Sequence, residues 1–504
     1  MKLMTDEPVL SDASERWAAR RTVSVCSATL IAATVLLPLL GRKVLASRDE
    51  AIYAEVAREF LGHNWLVPMW HFHPWPEKPP LAIWLTACLF HLFGVTNFWA
   101  RAVSALSGVG IVAVVHALAG RLRGVGAAWL STAMLLTIPG FLHVCVRGEM
   151  DAPLTFACCL ALWGLVKVRE GRLAGWYLFW TAFAAAAMIK GAASITLLLT
   201  LVVVMTWSRW GWRSLGRPFA LGLLIFLALV LPWHLYMLHV FGTGFLREYL
   251  GFHVVQRAVS PWGGRSTHPW YYVTAMVAYA SPWVLLFPFA LVRAVRQRPL
   301  REAFVFAVVV LVMFSAMATR APRYIFPAYP ALAWMSADWV AALLVMRSRK
   351  AWVGFAVGAA ALCALAVPMT KHLRSRLGGA AGNVIVDRSD REAPDLLLLG
   401  LKQAGTVADP VLLWQEDVTM QEMPGLLFYG RRRMQQVYLG ALPDTLGEAK
   451  RYSDPEPLRD FVGAEPHLIL MEKRLAGEIP EDMEFREIAS GKTLMVGTIR
   501  GIGR

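Results

Sequence analysis

Charge is scarce in this chain, and its scarcity narrows the class before any motif is read. Lys, Arg, Asp and Glu make up 17% of the 504 residues, against 57% hydrophobic residues that include 21 Trp and 24 Phe. A soluble chain of that balance could not cover its apolar surface, so the composition implies a polytopic membrane protein. Cysteine is also sparse. Cys26, Cys88, Cys145, Cys158, Cys159 and Cys363 all sit in or beside apolar runs, and residues 370–504 contain none. Neither a disulfide framework nor a zinc cluster is implied. No small-residue cleavage site stands out after the first apolar run, 23–41. Arg20 and Arg21 in front of it predict a retained first helix with its N-terminus inside. No internal repeat is visible, which counts against a transporter or flippase built from paired halves.

What is present is a series of twelve apolar runs, at 23–41, 80–95, 98–119, 124–142, 151–167, 174–189, 191–207, 218–240, 269–292, 302–318, 323–346 and 351–369. Residues 1–369 hold 32 Lys/Arg against 15 Asp/Glu, whereas residues 370–504 hold 18 against 20. The basic excess therefore belongs to the membrane part. It comes as short clusters between apolar runs, at 120–124, 167–172, 208–217, 293–301 and 347–350. That is the pattern of cytoplasmic loops and not of a nucleic-acid-binding surface, so no nucleic-acid partner is expected. If 80–95 crosses the membrane all five clusters fall outside, and only if it does not cross do all five fall in the cytoplasm. The run is short as well, and Pro79 and Pro80 suit the first turn of a helix lying in the interface. Eleven crossings result, with 42–97, 143–150, 188–191, 241–268, 319–324 and the tail from 370 on the outer side.

Eight of the eleven carboxylates between the N-terminal tail and residue 369 fall on that outer face. "SRDEAIYAEVAREFL" (47–61) predicts an amphipathic helix with Ile52, Val56, Phe60 and Leu61 on its apolar side, capped by Ser47 or Asp49, with Glu50 beside them. Asp49 is either that cap or a carboxylate able to orient or deprotonate an acceptor. Lys78, in "EKPP", places an ammonium at a helix start, a position that favours an anion. His71, His73 and Glu77 are a candidate divalent-metal set, with a hydrogen-bonded aromatic loop as the alternative. "VRGEMDAPLTF" (146–156) sets Arg147, Glu149 and Asp151 at the outer entrance of a helix. Lys190, in "MIKG", joins two apolar runs with no polar spacer, and an ionisable residue at such a depth needs a partner. Arg257, His268, Arg320, Arg323 and Tyr324 complete the outer set. Together Lys78, Lys190, Arg257 and Arg323 form a cationic group suited to a phosphate. Asp338, deeper in its run, reads as structural.

In this order, "RDEAIYAEVARE", "EKPPLAIWLTACLFHLFGV", "MDAPLTF", "MIKG", "LPWHLYM", "HPWYY" and "RYIFPAYPALA" resemble the successive landmarks of a family of multi-pass, polyprenyl-phosphate-dependent glycosyltransferases. That family includes protein O-mannosyltransferases and lipid A aminoarabinose transferases, and the series covers residues 23 to 346. The resemblance implies a GT-C fold with about 11–13 transmembrane helices and interfacial helices in the first outer loop. It implies transfer of one sugar, with inversion, from a polyprenyl (undecaprenyl) phosphate carrier to a lipid A or related glycan acceptor. The setting would be the periplasmic face of a bacterial inner membrane. A protein O-mannosyltransferase-like activity is the alternative of the same fold. By the same resemblance Asp49 is the principal acid/base carboxylate and Asp151 a second, positioning one. It sets Lys78, Arg257 and Tyr324 on the carrier phosphate with Lys190 near it; Arg323 joins them through the cationic group above, and Glu50, Glu77, Arg147, Glu149 and His268 are expected as supporting residues.

Residues 370–504 alternate apolar runs such as "VLLWQ", "HLILME" and "TLMVGTI" with helix-compatible stretches. They predict a small α/β domain outside the cytoplasm, following a transmembrane domain of residues 1–369. Its expected role is acceptor recognition.

Overall fold

The computed structural model describes residues 8–41, 44–45, 48–208, 215–256, 259–260, 268, 270–344, 349–371, 373, 388–404, 408–414, 425–431, 433–439 and 456–502. Arg257 and Ser47 lie outside the described residues. The chain forms two compact units: residues 1–40, 77–82 and 101–381, and residues 41–76, 83–100 and 382–504.

The first unit is a helical bundle. Its helices are α1 (Pro8–Leu36), α4 (Asn97–Arg123), α5 (Val125–Thr137), α6 (Pro139–Cys145), α7 (Asp151–Arg169), α8 (Gly175–Lys190), α9 (Ile195–Trp207), α10 (Arg217–Leu246), α11 (Tyr271–Ala280), α12 (Phe287–Arg296), α13 (Arg301–Ala316), α14 (Ala328–Leu344) and α15 (Arg349–Met369). Among the described residues six helical stretches are long and apolar enough to cross a membrane, or seven if the α5–α6 pair, bent by 70°, is one span. One of the six, the 33-residue run Gly175–Trp207, is two antiparallel arms. The ion pairs show this. Lys190, ending α8, reaches Asp151 at the start of α7, while Arg301 donates to Ser208 just past α9 and Arg169 pairs with Glu302. The chain therefore turns back at Lys190–Gly191, where φ and ψ leave the helical region. At Gly124 a φ of 78° lets α4 end and α5 begin without a linker, a backbone state that glycine adopts without a Cβ clash.

The same contacts order the bundle end to end. Arg121 pairs with Glu170 at 2.6 Å, Arg123 and Arg293 both hold Asp338 at 2.7 and 3.2 Å, and Arg169 holds Glu302 at 2.8 Å. Four of the five basic clusters thus gather at one end, and Asp338 is structural there. The fifth, 347–350, is described only as the backbone start of α15. At the opposite end the Arg101 guanidinium donates to the Leu40 carbonyl at 2.7 Å, while nearer the basic end Ser24 meets His116 at 2.9 Å. α1 and α4 are therefore antiparallel, with residues 40 and 101 at one end. The 60 residues between them start and finish on that side, as the charge pattern predicted. Their longest helix, α3 (Leu81–Phe93), has 13 residues and a reach of only ~20 Å.

The second unit centres on a six-stranded mixed sheet. Its strands are β3 (Ala408–Trp414), β4 (Met434–Tyr438), β5 (Glu456–Pro457), β6 (His467–Glu472), β7 (Met483–Ser490) and β8 (Leu494–Gly501), in the order β5-β4-β3-β6-β8-β7. The first three pairings are parallel and the last two antiparallel. Leu412, Trp414, Val437, Ile469, Met471 and Ile499 form the core of one face. A small α/β domain was expected in this part of the chain, and residues 41–76 and 83–100 belong to the same compact unit. Residues of the first outer loop pack into the same unit. The Leu45 amide donates to Tyr429 Oη at 2.8 Å, Tyr429 Oη to Asn97 at 2.9 Å, the Met434 amide to His71 Nε2 at 3.3 Å, and Arg431 to the Val95 carbonyl at 3.1 Å.

That packing changes α2 (Arg48–Glu59). The expected half-exposed amphipathic helix is instead buried on almost every side, including Glu50, Glu55 and Glu59. Asp49 lies within its first turn and not at the cap. Burial and the Glu55 carboxylate one turn away push Glu59 up to about 8, against the Phe72 and His71 amides and the Arg58 guanidinium. Glu59 accepts the Phe72 amide at 3.1 Å in a tight β1–β2 (Met69–Trp70, His73–Pro74) hairpin turn, where His71 and Phe72 both take left-handed φ of 52° and 63°. Two non-glycine residues at positive φ are strained, and the buried carboxylate holds one of the amides they present.

Candidate active site

At the bundle end away from the basic clusters, three segments converge. The first is the turn before α7. Glu149 and Asp151 stand at the helix start, where the exposed amides of the first turn favour a negative charge. Ser104 of α4 donates its hydroxyl to the Glu149 carbonyl at 2.7 Å and Thr155 donates to the Asp151 carbonyl at 2.7 Å, so the backbone carrying both acids is fixed. The second is the α8–α9 turn with Lys190. The third is the 3-10 turn Pro322–Ile325, which carries Arg323 and Tyr324.

Lys190 Nζ donates to Asp151 Oδ1 at 2.7 Å and lies 5.4 Å from the centre of the Tyr324 ring. Arg323 spans both acids, with Nη1 at 3.2 Å from Glu149 Oε2 and Nε at 3.8 Å from Asp151 Oδ2. Arg147 completes the cluster at 3.4 Å from Glu149 Oε1. Both carboxylates are buried, whereas the three cations are partly exposed. The acids thus form a buried floor and the cations face outward over it. Such a layer holds guanidinium and ammonium groups in place before an anion arrives, which lowers the cost of ordering them when it binds.

Six of the expected residues are brought together in this way: Arg147, Glu149, Asp151, Lys190, Arg323 and Tyr324. Lys78 approaches through its neighbour, since Pro79 Cγ is 3.7 Å from where a Cβ on Gly191 would stand. Glu77 belongs to the same unit. Asp49 and Glu50 belong to the second unit, Asp49 half-buried and Glu50 buried. His268 serves a turn: its carbonyl accepts from Arg320 and its Nδ1 accepts the Trp270 amide at 3.3 Å. Arg320 also donates to the Met317 and Ser315 carbonyls and so caps the end of α13. The candidate metal set is corrected. Among the described residues no three metal-ligating side chains converge, and His71 Nε2 accepts the Met434 amide while its ring meets His73 at 6.1 Å. The aromatic-loop alternative describes these residues. Ser104 was not singled out in the sequence, because a serine inside an apolar helix carries no motif.

A family model described as dolichyl-phosphate-mannose-protein mannosyltransferase matches residues 77–259. An undecaprenyl phosphate-alpha-4-amino-4-deoxy-L-arabinose arabinosyl transferase of Shewanella sediminis is 28% identical over 344 residues, covering 64% of this chain and 61% of that protein. The protein of the same description from Enterobacter sp. is 30% identical over 348 residues, covering 66% and 62%. The chain thus spans about three fifths of the length of the curated relatives it matches. Among solved structures, ArnT from Cupriavidus metallidurans bound to undecaprenyl phosphate matches with a TM-score of 0.73 and 22% identity, over 94% of this chain and 97% of that one. The archaeal oligosaccharyltransferase AglB from Archaeoglobus fulgidus matches with a TM-score of 0.53 and 13% identity, over 90% and 70%. The fold is that of these two solved structures, the GT-C type expected from the sequence.

Proposed function

We propose that this chain, a polytopic membrane protein with the fold of ArnT from Cupriavidus metallidurans, is a glycosyltransferase that moves a sugar from an undecaprenyl phosphate carrier to a lipid A or related glycan acceptor. The observation that carries the proposal is the layer of Lys190, Arg323 and Arg147 held over buried Asp151 and Glu149. Transfer from a lipid phosphate needs a cationic site at the bilayer edge, because the bond that breaks releases a phosphate. Lys190 and Arg323 stabilise the charge that develops on that leaving group, so no strong acid is required. Asp151 and Glu149 aim the cations and offset part of their charge. Lys78 and Arg257 extend the phosphate site in this proposal, on the strength of their places in the motif series.

Attack by an acceptor hydroxyl on the anomeric carbon breaks its bond to the phosphate oxygen with inversion. The hydroxyl proton passes to a carboxylate, for which Asp49 is proposed from the motif order. The basic loops at the far end of the bundle support a cytoplasmic position for that end and hence a periplasmic site in a bacterial inner membrane. The sugar of the two curated relatives, 4-amino-4-deoxy-L-arabinose, is the first donor to test.

The test is label transfer. Purified wild type and Asp49→Asn are supplied with a panel of radiolabelled polyprenyl-phosphate sugars and a membrane lipid extract. Transfer by wild type, with inverted configuration in the product and at least a hundredfold loss in the variant, is expected. Wild-type transfer that survives unchanged in Asp49→Asn removes Asp49 from the mechanism.

A further inference from the structure

We infer that the hydroxyl of Tyr249 is a further contact for the carrier phosphate, set where the two lysine-bearing turns meet. The inference rests on the proposed transfer from a polyprenyl phosphate. Tyr249 lies in the π-helical segment Arg247–Gln256 that follows α10. Its ring is stacked on Phe245 at 5.2 Å and 5°, and lies against His234 at 5.7 Å, with Phe245 in turn packed on Trp233. The residue is 8% exposed. Aromatic packing on this scale fixes a side chain that has only two rotatable bonds, and so fixes where its hydroxyl stands.

That hydroxyl stands at Gly191. A Cβ built on Gly191 would overlap Tyr249 Oη and lie 3.0 Å from Cζ, so the glycine makes the notch into which the hydroxyl fits. Two cation-bearing segments border the notch. Gly191 follows Lys190, the ammonium that pairs with Asp151. Pro79, which follows Lys78, is 3.7 Å from the same point. The hydroxyl makes no hydrogen bond among the described residues. The ring is buried, but the oxygen is not among the enclosed polar atoms that lack a partner, so the hydroxyl at its tip is open to one that arrives from outside. An oxygen acceptor supplied by substrate, at a site bordered by the lysine-bearing turns, satisfies it. The ligand chemistry is a phosphate oxygen, because the turns that border the notch carry Lys78 and Lys190, and an O–H donor complements their ammonium groups. Tyr249 is not a charged residue and belongs to none of the landmark motifs, so sequence reading passed it over.

The experiment measures equilibrium binding of undecaprenyl phosphate and of undecaprenol, together with donor KM and kcat, for wild type and Tyr249→Phe in detergent micelles. The phenylalanine keeps the ring and its stacking, and a melting curve confirms that the variant folds. The expected result is a roughly tenfold or greater weakening for undecaprenyl phosphate, equivalent to about 1.4 kcal/mol. Donor KM rises in parallel with kcat within about twofold, and undecaprenol, which lacks the phosphate, binds both proteins equally. A role confined to filling the Gly191 notch would lower the melting temperature and leave the phosphate preference intact, which overturns the inference. Equal affinity of both proteins for undecaprenyl phosphate also overturns it and leaves the proposed transfer standing. Failure of wild type itself to bind undecaprenyl phosphate overturns both.

Discussion

Lys190 Nζ sits 2.7 Å from Asp151 Oδ1, joining the end of one helix to the start of its antiparallel neighbour 39 residues earlier. The pair closes the α7–α8 hairpin at the candidate site and holds the ammonium where a phosphate would need it. Removing only the lysine leaves a buried carboxylate short of its closest partner, so Lys190→Met is expected to destabilise the protein by about 3 kcal/mol and to abolish transfer. The double variant Lys190→Met, Asp151→Asn recovers most of that stability but none of the activity. Thermal unfolding and label transfer on the three proteins check the separation.

Arg323 reaches Glu149 and Asp151 with different nitrogens of one planar group. A lysine has a single charged point and cannot span both. Arg323→Lys is therefore expected to raise donor KM by roughly tenfold while keeping the charge, and Arg323→Ala to cost more. A lysine variant with unchanged KM would show that charge alone suffices at this position.

Glu59 supplies a pH dependence. Its carboxyl is pushed up to about 8 in the fold, from a reference of 4.5. Between those values the folded state holds a proton that the unfolded chain has released. This contribution to stability is therefore greatest below about 4.5, falls as pH rises, and levels off above about 8. The slope from one such group is at most about 1.4 kcal/mol per pH unit. Glu59→Gln should flatten the unfolding midpoint between about pH 5.5 and 8, in the span that Glu59 itself titrates. An unchanged slope in the variant would assign the pH dependence to other groups.

The end-to-end order of the bundle predicts sidedness. In a cysteine-free background, single cysteines at Asn97 and Arg147 should react with an impermeant maleimide from the same side of sealed vesicles. Cysteines at Arg123 and Arg172 should react only from the other. Labelling of positions 97 and 123 from one side would mean that α4 does not cross the membrane, against the end-to-end order set by the Arg101 contact with the Leu40 carbonyl and the Arg121 pair with Glu170.

Much of this layout was legible in the sequence because loop charge is a local signal. The clusters at 120–124 and 167–172 mark one face whatever the helices between them touch, and their side decides that residues 80–95 do not cross. Lys190 was legible for a related reason: a lone ammonium between apolar runs demands a partner. Which partner it takes was not, since Asp151 and the Tyr324 ring meet it only through tertiary packing. The burial of α2 was hidden for the same reason. Its helical periodicity is real, but the groups that cover its unit, such as Tyr429 against Leu45, come from more than 380 positions away. Tyr249 and Ser104 left no trace, because one tyrosine in a loop or one serine in an apolar helix has no spacing to read.

The central claim is that the cationic layer serves cleavage of a sugar–phosphate bond and not passage of an intact lipid. Proteoliposomes loaded with doubly labelled polyprenyl-phosphate sugar, one label on the sugar and one on the lipid, decide it. The account predicts that wild type separates the two labels, with free polyprenyl phosphate appearing in step with sugar on the acceptor, and that Lys190→Met does neither. Movement of both labels together across the bilayer, with the bond intact, would contradict it and identify a lipid flippase.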